Sequence, residues 1–389
     1  GGITVKGTVA MNIEELLERV VKEGASDGFV AAQAPPSIKV DGTLYPITEQ
    51  PLTSEEAQEL VLSTMNEKQI REFQEHSEAN FALSHPELGR FRVSCFIQRG
   101  ECGLVLRRIV TEIPSLDGLG LPPIIKDLSM TKRGLIIFVG ATGTGKSTSL
   151  AAMVGHRNHN SRGHIITIED PIEFLHEHGQ CLVTQREVGV DTESFDVALK
   201  NTLRQAPDVI LIGEVRSAET MQQALTFAET GHLCLCTLHA NNANQALDRI
   251  MSFFPADMHN QVWMDLSLNL RSMIAQQLLP RKDGQGRTPV VEILLNSPLV
   301  QDYIRKGEVH LIKELMAKST ELGMQTLDQS LFQSYKDGLI TKDDALRFAD
   351  SANDVRLKIK MFERGKAGAG DAFDLAVDEE EDAGNFFAR

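Results

Sequence analysis

The stretch GATGTGKS, residues 140–147, decides the fold of this chain. It satisfies the P-loop pattern G-x-x-x-x-G-K-[ST], whose glycines let backbone N–H groups turn toward phosphate oxygens. The buried-strand pattern LIIFV precedes the loop, and a helical pattern that starts at Lys146 follows it. The N-terminus of that helix would add partial positive charge. A P-loop between a strand and a helix predicts that the chain binds a nucleotide.

Within the loop, backbone groups and two side chains are the expected ligands. Lys146 is predicted to contact the β- and γ-phosphates, and the hydroxyl of Ser147 is predicted to bind Mg²⁺. The residues predicted to bind ATP are Gly140, Ala141, Thr142, Gly143, Thr144, Gly145, Lys146, Ser147 and Thr148. ATP with Mg²⁺ is therefore the predicted ligand.

Strand-like and helix-like segments alternate after the loop. HIITIED at 164–170, DVILIGE at 208–214 and HLCLCTLHA at 232–240 have strand patterns, and a helical pattern follows each. This alternation predicts an α/β fold with a parallel sheet and covering helices. Residues 258–350 are predicted to be mostly helical, with one strand-like interruption, TPVVEILLN at 288–296.

Acidic residues follow two of these strands. Glu214 comes where a buried strand ends, as the Mg²⁺-linked carboxylate of a P-loop enzyme does, although such a residue also serves as a helix cap or turn residue. Glu169, Asp170 and Glu173 crowd the end of another strand. One of them could accept a proton from the attacking water, and the spacing leaves Glu169 and Glu173 as rivals for that role.

Two histidines, His232 and His239, lie at the two ends of the strand pattern HLCLCTLHA. A histidine near a strand end is more often a hydrogen-bonded structural residue than a catalytic one. The alternative is a hydrogen bond to the γ-phosphate, which would make the site sensitive to hydrolysis. The residues alone favour the structural interpretation.

Pattern and composition divide the chain into five segments. The N-terminal segment is predicted to contain β-hairpins with turns at Asp41-Gly42 and near Gly100. The predicted segments are residues 1–10 as a cloning leftover or upstream extension, 11–110 as a small α+β domain, 111–123 as a linker, 124–364 as the P-loop domain with C-terminal helices, and 365–389 as a disordered acidic tail.

Composition limits the partners. The 389 residues carry a net charge of -15, and seven acidic residues lie between Asp371 and Asp382, where no Lys or Arg occurs. Duplex binding relies on clustered Lys and Arg, so nucleic acid is not an expected partner. No apolar run approaches the roughly 20 residues that span a bilayer. The five scattered cysteines are typical of a reducing cytoplasm.

Four segments in this order resemble the type IV pilus and type II secretion ATPase family. They are GATGTGKS, TIEDPIEF at 167–174, DVILIGE at 208–214 and GHLCLCTLHA at 231–240, and the similarity extends over residues 11–350. The resemblance implies a RecA-like P-loop ATPase domain. It also implies a small PAS-like α+β domain before it and a helical C-terminal region.

The resemblance assigns roles to the candidate residues. The general base of the family falls on Glu173, and its Walker-B carboxylate, which binds Mg²⁺ through water, falls on Glu214. Its histidine pair falls on His232 and His239, which reverses the preference for a structural interpretation. ATP hydrolysis is the implied activity.

Two arginines of the N-terminal segment complete the implied site. Arg92 and Arg107 match arginines that the family supplies toward a nucleotide shared with the neighbouring subunit. Such sharing implies a ring, which in this family is a homo-hexamer. Nucleotide binding would then close the hinge at residues 111–123, and loss of the γ-phosphate would release the two arginines.

Within the family, the chain is similar to the pilus retraction branch. EGASD at 23–27, QREVG at 185–189 and LGMQTLDQSL at 322–331 carry this similarity, and the four-cysteine zinc site of assembly motors is missing from the sequence. LVQDYIRKGEV at 299–309 departs from the corresponding helix of a PilT-type motor, which favours the paralogue of that motor.

The branch implies a cytoplasmic motor, peripheral to the inner membrane at the pilus base, that powers or assists retraction and twitching motility. Its implied partners are a PilT-type ATPase and an inner-membrane platform protein. Two alternatives remain open. The chain could be a nucleotide-binding accessory subunit without essential hydrolysis, or an assembly ATPase.

Overall fold

The computed structural model describes residues 11–109 and 112–367. They form two compact units. The N-terminal unit comprises the described residues of Gly1–Ile113 together with His164–Ala206, and the P-loop unit comprises those of Pro114–Gly163 and Pro207–Arg389. No helix among the described residues combines the length and the apolar character needed to cross a membrane.

The predicted domain bounds differ from these units at one place. Residues 164–206 fall within the predicted P-loop domain, 124–364, but group with the N-terminal residues. The predicted bounds stay a prediction. The predicted extension at 1–10 lies outside the described residues, and so does the predicted tail apart from residues 365–367, which end a helix.

An antiparallel six-stranded sheet forms the core of the N-terminal unit, in the order β3-β2-β1-β6-β5-β4. Its strands are β1 (Asp27–Ala31), β2 (Ser37–Val40), β3 (Thr43–Pro46), β4 (Glu78–His85), β5 (Gly89–Gln98) and β6 (Glu101–Arg108). Helices α1 (Ile13–Lys22), α2 (Ser54–Ser63) and α3 (Glu67–His76) accompany it. The small α+β fold is as predicted, while its PAS-like character stays a prediction.

Two tight hairpins set the register of this sheet. The turn Asp41-Gly42 has φ values of 49° and 80°, and the turn Arg99-Gly100 has 50° and 78°. Two consecutive residues with positive φ make the turn whose twist matches that of the strands it joins. Both predicted hairpins are therefore confirmed.

The same unit contains a second, parallel pair of strands. β8 (His164–Glu169) pairs with β9 (Leu182–Glu187), with Ile165 opposite Val183. Helix α6 (Phe195–Thr202) follows, and the Ser194 hydroxyl caps it by accepting a hydrogen bond from the N–H of Val197.

The P-loop unit contains five strands in the order β13-β12-β7-β11-β10. They are β7 (Gly134–Val139), β10 (Val209–Ile212), β11 (Leu233–Leu238), β12 (Leu270–Pro280) and β13 (Arg287–Leu295). All neighbours pair in parallel except β12 and β13, which are antiparallel. Every residue of β7, β10 and β11 is buried, as expected for parallel strands covered on both faces.

Helices surround these strands and fill the C-terminal part of the unit. They are α4 (Ile124–Ser129), α5 (Lys146–Asn160), α7 (Ala218–Glu229), α8 (Ala243–Ser252), α9 (His259–Asn269), α10 (Pro298–Lys306), α11 (Ile312–Lys318), α12 (Leu327–Lys336), α13 (Lys342–Arg347) and α14 (Ala352–Ala367). A separate apolar cluster joins α12, α13 and α14 to the far ends of β12 and β13, and it includes Leu279, Val290 and Ile359.

Strand β12 corrects a prediction, because its residues lie in the part of the chain expected to be helical. The segment LRSMIAQQLLP contains Leu, Met, Ala and Gln, which favour helices, and only one β-branched residue, Ile274. Hydrogen bonding to β7 on one side and β13 on the other, with Met273 through Gln276 buried, overrides that propensity. The strand predicted at Thr288 is confirmed as part of β13.

Candidate nucleotide-binding site

The P-loop connects the carboxyl end of β7 to the first turn of α5. Gly143 and Gly145 have φ values of 84° and 79°, a region in which a side chain is strained. A Cβ at Gly140 would lie 2.4 Å from Thr144 Oγ1, and one at Gly145 would lie 2.8 Å from Gln276 Nε2. The glycines are therefore needed both for the turn and for close packing.

Lys146 lies inside this loop. Its Nζ donates a hydrogen bond of 2.7 Å to the carbonyl of Gly140, and the residue is only 8% exposed. Among the described residues, no side chain caps the first turn of α5. The loop therefore presents helix N–H groups and one ammonium together, which is an arrangement that binds phosphate.

Gln276 of β12 hydrogen-bonds both the P-loop and helix α5, and the sequence did not reveal it. Its Nε2 donates to the carbonyl of Thr144 at 3.1 Å, and its Oε1 accepts from the Ser149 hydroxyl at 2.7 Å. Gln276 is 3% exposed, and its bond to Ser149 is fully buried while its bond to Thr144 is partly buried. Assignment of β12 as a strand beside β7 would have identified Gln276 as a residue next to the loop.

Glu214 and His239 meet at the carboxyl ends of the neighbouring strands β10 and β11. Glu214 Oε1 lies 2.9 Å from His239 Nε2, and the other carboxylate oxygen of Glu214 accepts a hydrogen bond from Arg216. The Thr237 hydroxyl donates to the carbonyl of Gly213, while the Val215 N–H donates 3.0 Å to the carbonyl of Thr237. These bonds fix the loop that carries Glu214.

The charges around this pair favour an ionised carboxylate and a neutral imidazole. Burial acts to raise the pKa of Glu214, but the hydrogen bond from Arg216 and the charges of Arg216 and Lys146 lower it below its usual value. Burial and the charge of Lys146 lower the pKa of His239, against the opposing effect of Glu214. The Nε2–H group of neutral His239 can therefore donate a hydrogen bond to the carboxylate of Glu214.

His232 lies at the opposite end of β11. The register pairs Leu233 with Gly134 at the start of β7, while Leu238 pairs with Val139 at the start of the P-loop. Six strand residues at about 3.3 Å each separate His232 from His239. His232 Nδ1 lies 3.1 Å from both the carbonyl of Phe227 and the Thr230 hydroxyl. Within one chain, this placement supports the structural interpretation of His232.

Glu169 and Glu173 lie in the N-terminal unit, at the end of β8 and in the loop after it. Residues of β9 hold that loop. The Glu187 carboxylate accepts from the N–H of Ile172 at 3.0 Å, and the Gln185 amide bonds the His176 N–H and the Phe174 carbonyl at 2.8 Å each. The motif QREVG therefore orders the acidic loop.

The two rival carboxylates have different surroundings. Burial raises the pKa of Glu169 to about 7, although Thr167 and Gln185 donate hydrogen bonds to its Oε2 at 2.8 and 3.3 Å. A pKa near 7 suits a general base. Glu173 is exposed. Glu169 and Glu173 therefore remain rivals for the role of the base.

Arg92 and Arg107 lie opposite each other on β5 and β6, with Asp27 of β1 opposite Arg107 on the other side. Both arginines are exposed. They line a cavity of about 290 Å³ whose wall also includes Asp170 and Glu187 of the acidic loop and its strand. Each arginine of this pair therefore shares a cavity with acidic residues of its own chain.

The predicted Mg²⁺ ligands are both oxygen donors. Ser147 is the second residue of α5, and Glu214 is held as described above in the same unit. In the described parts of the chain, no group of three or more His, Cys, Asp and Glu could hold a metal ion. A hydroxyl and an ionised carboxylate fit Mg²⁺, which keeps several waters and takes phosphate oxygens as further ligands.

Comparison with known proteins gives matches along most of the chain. The sequence profile of the family described as "Type II/IV secretion system protein" matches residues 4–347. The chain is 65% identical to the type IV pilus ATPase PilU of Pseudomonas aeruginosa, over 90% of this chain and 92% of that protein. It is 42% identical to the retraction ATPase PilT of the same organism, over 86% and 97%.

A solved structure agrees with these relatives. The crystal structure of the pilus retraction motor PilT with bound ADP matches with a TM-score of 0.83 at 40% identity, over 88% of this chain and 98% of that one. The predicted α/β fold, nucleotide use and similarity to the paralogue of a PilT-type motor are confirmed. The chain belongs to the type II/IV secretion system protein family, in its pilus retraction ATPase branch.

Proposed function

We propose that this chain is an ATP-hydrolysing, homo-hexameric motor of the type IV pilus machinery, which powers or assists retraction and twitching motility alongside PilT. The similarity to PilU and PilT supports the pilus role. The contact of 2.9 Å between Glu214 and His239, in the same unit as the buried Lys146, is the observation that supports hydrolysis. A site built only to bind phosphate needs neither side chain.

Glu214 and His239 divide the chemistry between them. Glu214, kept ionised by its neighbours, can orient water that approaches the γ-phosphate. Neutral His239 donates to Glu214 and, with a γ-phosphate present, has a second possible acceptor. A switch of the His239 hydrogen bond from one acceptor to the other would couple loss of the γ-phosphate to a change at the end of β11. Glu173, with Glu169 as its rival, would take the proton from the attacking water.

Mg²⁺ would be held by Ser147 and, through water, by Glu214. When bound, it would neutralise phosphate charge. Lys146 and the α5 N–H groups hold the nucleotide in the loop formed by residues 140–148. Gln276 keeps that loop in its binding conformation. The hydrogen bonds of Lys146 and Gln276 support these proposed roles.

The proposed ring would place each nucleotide where Arg92 and Arg107 of a neighbouring subunit can stabilise the charge of the reacting phosphate. The segment 111–123 would act as the hinge, since loss of the γ-phosphate would release the arginines. The motor would act in the cytoplasm, at the inner membrane, on a platform protein at the pilus base. His232 would contribute only indirectly.

The test is pilus retraction in cells that lack this protein, PilT or both, with each strain complemented by the wild-type chain or by Glu214→Gln. The proposal predicts that the wild-type chain increases retraction beyond that of Glu214→Gln. Equal retraction by the two would contradict it and support an accessory subunit. Loss of pili on deletion, rather than their accumulation, would support an assembly ATPase.

A further inference from the structure

The segment EGASD, residues 23–27, has no role in the proposed function, yet its last residue is one of the few buried carboxylates in the part of the chain that the structure describes. Asp27 opens β1 and is 6% exposed. Its Oδ1 accepts a hydrogen bond of 3.1 Å from Arg107 Nε, and its Oδ2 accepts one of 2.6 Å from the Ser26 hydroxyl. A buried carboxylate is costly unless it is paired, so Asp27 and Arg107 form a specific pair.

The sheet register makes this pair part of a row. Asp27 lies opposite Arg107, and Arg107 lies opposite Arg92, across the three adjacent strands β1, β6 and β5. Side chains of directly opposite residues on one face lie about 5 Å apart at Cβ. The three side chains therefore form a row in which the carboxylate of Asp27 is at one end and the two arginines follow. All three residues line the same cavity.

The contact with Asp27 restrains Arg107 without covering it. It engages Nε, at the base of the guanidinium group, while the side chain of Arg107 remains 69% exposed. A free arginine side chain loses rotamer entropy when it is fixed. An anchor at Nε restricts the rotamers beforehand, and the N–H groups of the terminal nitrogens remain as further donors for a phosphate.

We propose that Asp27 is a positioning residue for Arg107: it holds the guanidinium group in the orientation from which it reaches the phosphate of a bound nucleotide. This inference rests on the proposed role of Arg107. It assigns a function to EGASD, since Ser26 in turn orients Asp27 through its hydroxyl. Asp27 itself touches no nucleotide.

The test compares ATP hydrolysis and ADP binding in Asp27→Ala, Asp27→Asn and the control Asp41→Asn. Asp41 is an exposed residue of a turn in the same sheet, where positive φ suits Asn. We expect kcat to fall roughly 10- to 100-fold in Asp27→Ala, the range for a misplaced catalytic group. We expect a smaller fall in Asp27→Asn, which keeps the shape and loses the charge. Asp41→Asn should match wild type, and ADP affinity should be unchanged in all three.

A double-mutant cycle separates positioning from general destabilisation. In single-turnover assays, adding Asp27→Ala to Arg107→Ala should change the rate by less than about twofold, because residues that act as a unit are not additive. An equal loss in both backgrounds would overturn the proposal. Should Asp27→Ala not fold, Asp27→Asn decides, and wild-type kcat in that variant would overturn it.

The outcome also separates this inference from the proposed function. If Arg107→Ala is inactive while both Asp27 variants hydrolyse ATP like wild type, the inference is wrong and the proposed role of Arg107 stands. If Arg107→Ala itself retains wild-type turnover, the role of Arg107 is wrong and the inference is wrong with it.

Discussion

The two units hold their functional side chains in opposite ways. In the P-loop unit, Lys146 and Gln276 are buried, and the loop, Glu214 and His239 are tied by hydrogen bonds within that unit. In the N-terminal unit, Arg92 and Arg107 are exposed, and one buried carboxylate restrains Arg107. The difference indicates that the P-loop unit has a preformed phosphate-binding site. The N-terminal unit instead has long cationic side chains that can bind or release a phosphate.

The largest expected effect is on kcat, and it comes from removing the exposed side chain of Arg107. Arg107→Ala should lower kcat by about 10³- to 10⁵-fold, the range for an arginine that stabilises a reacting phosphate. ADP affinity should remain within about threefold, because the preformed loop is intact. Steady-state phosphate release and ADP titration measure the two quantities.

Arg108→Ala is the matched control, since successive residues of β6 point to opposite faces of the sheet. It should hydrolyse ATP like wild type. Mixing Arg107→Ala subunits with Glu214→Gln subunits then tests sharing between neighbours. Recovered activity in the mixture supports supply from the neighbouring subunit, and no recovery supports supply within the chain.

The next effect concerns the acidic loop. The pKa of Glu169 is about 7 in the folded chain against an ordinary 4.5, so the folded state retains a proton that the unfolded state loses. Stability should therefore fall as pH rises from about 4.5 to 7, by up to about 3 kcal/mol from this group. Glu169→Gln should remove that dependence.

Urea unfolding of wild type and Glu169→Gln at pH 5 and pH 8 measures it. The variant should gain stability relative to wild type at pH 8, with little difference at pH 5. Glu173→Gln, at an exposed position, is the control for stability. The same pair of variants, assayed for hydrolysis, decides which carboxylate is the base. Parallel pH dependences in wild type and Glu169→Gln would contradict the raised pKa of Glu169.

The smallest expected effect is on ADP affinity, and it comes from Gln276, which hydrogen-bonds the P-loop. Gln276→Glu keeps an acceptor for the Ser149 hydroxyl but loses the donor to the Thr144 carbonyl. Loss of this partly buried hydrogen bond costs about 1 to 3 kcal/mol, so the Kd for ADP should rise about 10-fold while kcat at saturation changes little. Isothermal titration measures the affinity.

Gln277→Leu is the matched control on the same strand. The buried Oε1 of Gln277 has no hydrogen-bond partner among the described residues, so its loss should leave ADP affinity unchanged. An unchanged Kd in Gln276→Glu would show that the P-loop does not depend on β12.

Sequence could predict the parts of this site whose chemistry is local. The P-loop, the strand ends that carry Glu214 and His239, and both hairpin turns are visible as short motifs, and each occurs in the predicted local structure. β12 was mispredicted because its helix-forming residues are overruled by pairing with two distant strands. Gln276, which depends on that pairing, could not be recognised.

The pairing of Asp27 with Arg107 and the separation of His232 from His239 were also beyond the sequence. Asp27 becomes meaningful only when the register places it opposite Arg107, 80 residues later in the chain. His232 and His239 look equivalent in GHLCLCTLHA, but a strand of six residues separates them and only His239 lies at the end where the P-loop begins. Long-range pairing, not local pattern, decides such cases.

The most direct test of the account is phosphate release by the purified chain, with Glu214→Gln as the paired variant. Glu214 is the carboxylate that joins His239 and Arg216 in the P-loop unit. We expect steady hydrolysis by wild type and a loss of about 10²- to 10⁴-fold in the variant, with ADP binding retained. Equal phosphate release by the two proteins would contradict the claim that this chain is a hydrolysing motor.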